Sequence, residues 1–312
     1  MNVFVTGGAG FIGSHIVDIL IEKGNSVTVF DDLSSGKKEF IEHHLNRKNF
    51  NFIEADLIHF ETISQAIKDH DVVFHIAANP DVRMGAQKPD IAKKDILSTY
   101  NLLDAMRENN IKKIVFSSSS VIYGETPSFP LPENYGPLLP ISVYGAAKLA
   151  AEGLISSFCH TFDMQGWIYR FANVVGKRGT HGVIVDFIKK LRKNPNELEI
   201  LGDGKQKKPY LDVKDCVEGM IFGFENSNEQ INFFNLGCDS TTQVTRIAEI
   251  VVEEMELDNV KFKYTGGKRG WKGDVPHFQF NVEKIGIIGW RAKYSSDEVI
   301  KKAVRDALDA NI

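Results

Sequence analysis

The chain has 312 residues, of which 43% are hydrophobic and 25% charged, and its formal net charge is −4. That length suits two linked domains, and the composition is typical of a globular protein. The slight acidity argues against binding to nucleic acid. Scattered single cysteines predict neither disulfides nor a cysteine metal site, and they favour a reducing, cytoplasmic location. These residues are Cys159, Cys216 and Cys238.

Targeting and membrane segments are not expected in this sequence. The first predicted strand begins at about Asn2, which leaves no space for a signal peptide. No apolar run approaches the ~20 residues that a membrane span needs. We therefore expect a cytoplasmic protein without a membrane partner.

In chain order, apolar runs alternate with stretches of helical spacing through the first half of the chain. Strands are predicted at residues 3–6, 26–30, 51–54, 72–76, 113–117 and 168–171. Helices are predicted at residues 11–23, 61–68, 91–109 and 144–162. Such alternation predicts an α/β fold, namely a Rossmann-type doubly wound parallel sheet with right-handed crossovers.

After Asn173 the elements become shorter, and Gly, Lys and Pro become more frequent. Helices are predicted at residues 182–192, 215–225, 242–255 and 296–310, and short strands near 199, near 210 and at 232–236. The pattern predicts a smaller α/β lobe built from insertions and the C-terminal region. We expect a Rossmann domain of residues 1–172 and 212–240 and a second lobe of residues 173–211 and 241–312.

The first predicted strand continues into a glycine-rich turn that spans residues 7–13. Glycines at such a turn can take positive φ and let the backbone approach a pyrophosphate closely. The following helix offers unpaired N–H groups and a positive dipole end to those phosphates. Because the turn lies between a predicted strand and a predicted helix, it predicts a dinucleotide site. The candidate contacts are Gly7, Gly10, Phe11, Ile12 and Gly13.

Acidic residues end the second predicted strand at Asp31 and Asp32. A carboxylate at this place can accept hydrogen bonds from the adenosine ribose and repels a 2′-phosphate, which favours NAD over NADP. Lys37 and Lys38 follow closely and would weaken that preference. The alternative is that Asp31 only caps a turn.

Later segments fit the same ligand, because they follow or end the third, fourth and fifth predicted strands. Small residues there permit close approach of a flat cofactor, although they also serve as packing residues. His75 is expected to be a core or strand-end histidine rather than a ligand. The predicted cofactor contacts in these segments are Asp56, Leu57, Ala77, Ala78 and Ser117.

A hydroxyl, a phenol and an ammonium group form the candidate chemical site. Ser119 lies just past the fifth predicted strand, at the carboxyl edge where doubly wound sheets bind ligands. Tyr144 and Lys148 are four residues apart on a predicted helix, so they share one face and are expected to contact the cofactor as well. A phenol, with a reference pKa near 10, acts as a base near neutrality only if positive charge stabilises its anion. A Tyr-x-x-x-Lys pair alone is often packing beside a solvated amine, but its combination with Ser119 and the glycine turn predicts catalysis.

Together these motifs resemble the extended short-chain dehydrogenase/reductase family of nucleotide-sugar enzymes. The resemblance covers nearly the whole chain. It implies tightly bound NAD in the Rossmann domain and a UDP-sugar in the second lobe. The matching segments are residues 6–13, 75–78, 117–124, 144–148, 170–173, 182–184, 202–206 and 273–274.

An activity is also implied by the resemblance, which makes Ser119, Tyr144 and Lys148 the catalytic trio. It implies a 4-epimerase that interconverts UDP-glucose and UDP-galactose through a transient 4-keto sugar, with NAD taking and returning the hydride. The alternatives are a 4-epimerase of another nucleotide sugar, of UDP-GlcNAc or UDP-glucuronate type, and a net 4-ketoreductase. A nucleotide-binding protein without turnover is the alternative from a different class.

Departures from the family pattern narrow the activity. Dehydratases of the family place Asp-Glu after the catalytic hydroxyl residue, and glucuronate decarboxylases place a Glu there, whereas this chain has Ser120 and Val121. That difference argues for epimerisation over dehydration or decarboxylation. Asp95 stands where many members have Asn, and Trp271 stands where many epimerases have Arg.

The resemblance further implies substrate contacts in the second lobe. Asn173 takes the position that holds the diphosphate, and Val183 lies in the loop around uracil. Arg269 or Lys272 is implied to contact phosphate, and Arg's bidentate fork makes the two unequal candidates. Phe278 matches a pocket position whose size controls entry of N-acetyl groups, so its ring favours glucose and galactose. Ser119 and Tyr144 are implied to contact the sugar as well.

Oligomeric state and metal binding complete the expectations. The predicted helices 91–109 and 144–162 resemble the pair that builds a two-fold, four-helix interface in this family, so a homodimer is expected. The histidines of the chain show no metal-ligand spacing, so no metal is expected.

Overall fold

The computed structural model describes residues 1–79, 88–127 and 129–310. Its strands are β1 Asn2–Thr6, β2 Ser26–Asp31, β3 Phe50–Glu54, β4 Val72–His75, β5 Lys113–Ser119, β6 Gln165–Phe171, β7 Asn173–Val175, β8 Glu197–Ile200, β9 Lys207–Lys208, β10 Tyr210–Asp212, β11 Ile231–Leu236, β12 Thr242–Gln243 and β13 Lys261–Tyr264. Its α-helices are α1 Phe11–Glu22, α2 Phe60–Ala66, α3 Asp90–Glu108, α4 Val143–Thr161, α5 Val183–Lys193, α6 Val213–Asn226, α7 Val244–Glu254, α8 Glu283–Ile287 and α9 Ser296–Asp309. Each element predicted from the sequence is present, with ends shifted by at most three residues.

Seven strands form one sheet in the order β11-β6-β5-β4-β1-β2-β3. The pairs from β3 across to β5 are parallel. At the other edge Gly166 donates its N–H to Gln230 and Ala172 donates to Leu236, so β6 and β11 also advance in the same direction. The order reverses between β1 and β4, which is the point where doubly wound sheets bind ligands. The predicted fold class is confirmed.

The chain divides into two compact units. The first comprises residues 1–122, 142–170 and 220–234, and the second comprises residues 123–141, 171–219 and 235–312. These units are defined by how the backbone packs, whereas the predicted domains are defined by the ligand that each binds. The predicted bounds of the two domains therefore stay a prediction.

Apolar side chains of strands and helices build the core of the first unit. Phe4, Phe30 and Ile114 project from the sheet and pack with Leu102 on α3 and Ile155 on α4, all five almost fully buried. Burying each such side chain contributes roughly 1.5–3 kcal/mol. The packing fixes the carboxyl ends of β1, β2 and β5, where the candidate site lies.

The second unit has its own core on three amphipathic helices. On α5 the buried residues recur at helical spacing as Ile184, Ile188 and Leu191. They pack with Val251 on α7 and Ile300 on α9. Among the described residues, none of the helices combines the length and apolar character required to cross a bilayer.

Candidate active site

The glycine turn joins β1 to α1 with almost no space to spare. Gly7 has φ +69°, and a Cβ added to it would lie 2.6 Å from the backbone nitrogen of Ala77. A Cβ on Gly13 would lie only 2.0 Å from the carbonyl oxygen of Gly7. Glycine is therefore required at both positions. The turn brings the backbone of Gly7 against Ala77, as the predicted cofactor contacts require.

The N-terminus of α1 faces out of this turn. Gly10 precedes the helix in an extended conformation, and among the described residues no side chain caps the first turn. The N–H groups of that turn, including those at Phe11 and Ile12, keep a positive partial charge that suits an anion. An uncapped helix end behind a glycine turn fits the pyrophosphate of a dinucleotide.

Asp31 is buried at the end of β2, and both of its carboxylate oxygens accept backbone hydrogen bonds. Oδ2 accepts the N–H of Ala9 at 2.9 Å, and Oδ1 accepts the N–H of Leu33 at 2.9 Å. Burial raises the pKa of Asp31, although both hydrogen bonds oppose the shift. The residue thus caps a turn, as the alternative interpretation held, and it also ties that turn to the glycine turn.

Asp32 and Asp56 are joined by a cation that sequence reasoning missed. The Nζ atom of Lys94 on α3 lies 2.9 Å from Asp32 and 2.8 Å from Asp56. Hydrogen bonds from Ser34 and the charge of Lys94 hold the pKa of Asp32 below its usual value, against the effect of burial. Lys94 belongs to no recognisable motif, so nothing in the sequence indicated that it would pair with Asp32 and Asp56.

The remaining predicted cofactor contacts differ in exposure. Leu57 is buried in the core of the first unit. Ala77 and Ala78 are half-buried beyond the end of β4. His75 is buried between the hydroxyls of Thr6 and Thr99, at 2.8 and 3.0 Å. Burial and the charge of Lys148 lower the pKa of His75 to about 3, so it is a neutral structural histidine, as expected.

The predicted catalytic hydroxyl and phenol lie together. Ser119 is the last residue of β5, and Tyr144 lies in the first turn of α4, where the Ser142 side chain accepts the N–H of Gly145. The Ser119 side chain interacts with the Tyr144 phenol, and this interaction favours the phenolate. Burial and the carboxylate of Asp95 outweigh it and raise the pKa of Tyr144 above its usual value.

Lys148 is buried one helical turn beyond Tyr144. Its Nζ atom donates to the carbonyl of Ser117 at 2.6 Å and lies 5.9 Å from the centre of the Tyr144 ring. Burial lowers the pKa of Lys148 to about 8, and the carboxylates of Asp95 and Glu152 limit the shift. The ammonium is therefore anchored on β5 beside the phenol ring.

Asp95, the residue that departs from the family pattern, is an electrostatic neighbour of both catalytic groups. Its carboxylate accepts the N–H of Asn79 at 3.3 and 3.4 Å. It raises the pKa of Tyr144 and the pKa of Lys148, because a negative charge disfavours a phenolate and favours an ammonium. An Asn at this position would exert neither effect.

We expect Asp95→Asn to move the pH–rate profile to lower pH. Removing the carboxylate lowers the pKa of Tyr144 and the pKa of Lys148, and the rate depends on the protonation state of both groups. Both limbs measured by initial rates should therefore shift in the same direction. Asp90→Asn, the same change at the exposed start of α3, is the control. An unchanged profile in Asp95→Asn would show that this carboxylate does not tune the trio.

A buried ion pair lies next to the residues that carry Ser119 and Lys148. Arg170 contacts both oxygens of Glu152, at 3.1 and 2.8 Å, and both side chains are 8% exposed. Ser118 donates to the same carboxylate at 2.5 Å. Because Ser118 adjoins Ser119 and Glu152 lies one turn beyond Lys148, this network fixes β5 relative to α4.

In the second unit, Asn173 begins β7 and Val183 begins α5. Asn173 pairs in register with Tyr210 on the neighbouring strand β10, and its side chain lowers the pKa of the Tyr210 phenol against the larger, raising effect of burial. Val183 follows Gly182, whose φ of +104° sets the entry into α5. Phe278 is only 4% exposed, and its ring centre lies 5.4 Å from that of Phe280.

The candidate phosphate cations of the second unit have different partners. Arg269 pairs with Glu125 at 2.8 Å, whereas Lys272 is exposed. Lys208 lies 2.6 Å from buried Asp274, with its Nζ 5.2 Å from the centre of the Trp271 ring. Lys208 is the least exposed of these three cations.

Comparison with known proteins places the chain among nucleotide-sugar enzymes. The family model described as the NAD dependent epimerase/dehydratase family matches residues 3–237. The UDP-glucose 4-epimerase of Mycolicibacterium smegmatis is 33% identical over 318 residues, which cover 97% of each chain. A crystal structure of a UDP-galactose 4-epimerase is 39% identical over 99% of both chains, with a TM-score of 0.89. The UDP-N-acetylglucosamine 4-epimerase of Methanobrevibacter ruminantium is 32% identical over 99% of this chain and 98% of its own, with a TM-score of 0.88.

Proposed function

The chain belongs to the NAD-dependent epimerase/dehydratase family, and from that premise we propose that it is a 4-epimerase interconverting UDP-glucose and UDP-galactose. The observation that carries the proposal is the interaction of the Ser119 side chain with the Tyr144 phenol, with the Lys148 ammonium anchored one turn along α4. Ser120 and Val121 offer no carboxyl group for dehydration or decarboxylation. Epimerisation needs only a base, a donor and a charge at this position.

In this proposal the chain supplies positioning and proton transfer. Tyr144 takes the proton of the sugar C4 hydroxyl, and Ser119 donates a hydrogen bond to the same oxygen. Burial and the Asp95 carboxylate raise the pKa of Tyr144, and the Lys148 ammonium is proposed to stabilise the phenolate against them. NAD held by the glycine turn and α1 would supply reversible hydride transfer at the sugar C4 atom. Between the two hydride transfers the 4-keto sugar rotates to present its opposite face, while the protein holds its nucleotide.

Tight retention of NAD is part of the proposal. The glycine turn and the first turn of α1 would hold the pyrophosphate, and Asp31 or Asp32 would hold the adenosine ribose. Epimerisation regenerates the cofactor in every turnover, so its exchange is unnecessary. Net ketoreduction, the alternative, requires a cofactor that leaves after each reaction.

Asn173, Val183, Arg269 and Phe278 are proposed to bind the UDP-sugar. Arg269 can meet a phosphate with its guanidinium fork after releasing Glu125, and Lys208 adds a cation that is already shielded from solvent. The Phe278 ring leaves little space for an N-acetyl group, which favours glucose and galactose.

We expect Phe278→Ser to raise the rate with UDP-GlcNAc relative to UDP-glucose by roughly tenfold or more, because the smaller side chain opens space for the acetyl group. The ratio of the two values of kcat/KM is the measurement. Loss of a packed ring costs about 3–5 kcal/mol of stability, so folding is checked by circular dichroism. Phe129→Ser, at a more exposed ring in the same unit, is the control. An unchanged ratio would mean that Phe278 does not gate the sugar.

A homodimer is proposed through α3 and α4. On α3, Leu97 and Tyr100 remain 41% and 45% exposed, and the Tyr100 ring meets Phe158 on α4 edge to face, with centroids 5.9 Å apart. Covering this apolar surface would drive association. We expect light scattering after size-exclusion chromatography to give twice the mass of the chain, and Leu97→Asp to reduce it to one chain. If the unchanged protein and Leu97→Asp both had twice the mass of the chain, α3 would be excluded as the interface.

The proposed activity is tested by incubating the purified protein with UDP-galactose, without added cofactor, and resolving the products by anion exchange. Conversion to UDP-glucose would establish epimerisation and a retained NAD together. Conversion of UDP-GalNAc or UDP-glucuronate alone would reassign the sugar. Activity that appears only with an exchangeable cofactor would favour the ketoreductase, and ligand binding without turnover would overturn the enzyme assignment.

A further inference from the structure

Two histidines and an aspartate converge away from the candidate active site. Asp18 lies on α1, and His43 and His44 lie in the connection between β2 and β3. The Nε2 atoms of His43 and His44 lie 2.9 and 2.7 Å from the same Oδ1 atom of Asp18. The ring centres of the two imidazoles are 3.9 Å apart. Three potential ligand atoms therefore lie within 4.8 Å of one another, although the sequence spacing gave no sign of a metal site.

Both the chemistry and the geometry of this cluster suit a transition metal. Imidazole nitrogens and a carboxylate oxygen are ligands that Zn²⁺ takes in proteins. The other ring nitrogen of His44, Nδ1, is buried and has no hydrogen-bond partner within the described part of the chain. Metal binding at Nε2 would exchange the contact of Nε2 with Asp18 for the metal and would move the ring proton from Nε2 to Nδ1.

We propose that Asp18, His43 and His44 form a binding site for a divalent transition-metal ion, for which Zn²⁺ is the best fit. Ligand atoms around a tetrahedral zinc ion are about 3.3 Å apart, so the two nitrogens need to move outward by about half an ångström. His43 is exposed enough to do so, and water can fill the remaining position. Two imidazole nitrogens disfavour Mg²⁺ and Ca²⁺, which prefer oxygen ligands.

Metal at this site would link α1, which follows the glycine turn, to the connection beyond Asp31 and Asp32. A ligand that binds only the folded chain raises its stability with concentration. We therefore expect the thermal unfolding temperature to rise with Zn²⁺ and not with Mg²⁺.

The test is isothermal titration of the chelator-treated full-length protein with ZnCl₂. We expect one Zn²⁺ per chain, with affinity reduced at least about tenfold in His43→Ala and in Asp18→Asn. His43 is 45% exposed at its side chain, so its replacement should leave the fold intact. His59→Ala, an exposed histidine outside the cluster, should bind zinc like the unchanged protein. Absence of binding, or the same affinity in His43→Ala as in His59→Ala, would overturn the site.

Discussion

Tyr144→Phe is expected to lower kcat for UDP-galactose epimerisation by about a thousandfold or more while NAD stays bound. Removal of one hydroxyl deletes the proposed base and its interaction with Ser119, and general-base catalysis is typically worth 10²–10⁴-fold. The glycine turn, α1 and Asp31 are untouched, so cofactor binding should survive. Rates come from the chromatographic assay, and bound NAD from release on denaturation.

Tyr294→Phe is the matched control, because it makes the same change at a phenol that is 42% exposed. It should keep both activity and cofactor. If Tyr144→Phe retained more than a tenth of the unchanged rate, Tyr144 would not be the base. If it lost NAD as well as activity, the experiment would locate the residue in cofactor binding instead.

Gly13→Ala is expected to abolish retention of NAD and to destabilise the chain. The added Cβ would lie 2.0 Å from the carbonyl oxygen of Gly7 and 2.9 Å from the Cα of Gly8. Neither neighbour is a flexible side chain, so the turn or the start of α1 must move. Phosphate binding needs the N–H groups of both the glycine turn and the first turn of α1. Loss of several charge-assisted hydrogen bonds should therefore lower the affinity for NADH by at least about a hundredfold.

Gly153→Ala provides the comparison, since its added Cβ meets nothing within 4 Å and the residue is exposed on α4. A helix gains up to about 1 kcal/mol from that change, so stability should hold or rise. Fluorescence titration with NADH and thermal unfolding measure the two effects. Unchanged NADH affinity in Gly13→Ala would remove the glycine turn from the proposed cofactor site.

The elements that the sequence predicted well are those with a strong apolar period. Strands such as β1 and β5 are continuous apolar runs because a parallel sheet is covered on both faces. β13 was missed because its residues are half-buried or exposed, so Lys261–Tyr264 shows no buried pattern. The two-residue strands β9 and β12 are too short to have a period at all.

The candidate site was predictable where function requires a fixed local spacing. Gly7, Gly13 and the Tyr144–Lys148 pair belong to single turns or helices, so their neighbours in sequence reveal them. The bridge from Lys94 to Asp32 and Asp56 joins three separate elements, and only the folded sheet brings them together. The same holds for Asp18 with His43 and His44. Sequence spacing cannot report contacts that tertiary packing creates.

The Lys94 bridge bears on how readily the cofactor preference could change in evolution. A protein that adopts NADP must usually lose an acidic residue at the ribose and acquire a cation for the 2′-phosphate. Here Lys94 lies beside Asp32, the proposed ribose ligand, and Asp32 and Asp56 neutralise it. Asp32→Asn would release half of that neutralisation in one step. Selection for NADP would therefore begin from a lysine that this chain already carries, and a second substitution would not be needed to supply the cation.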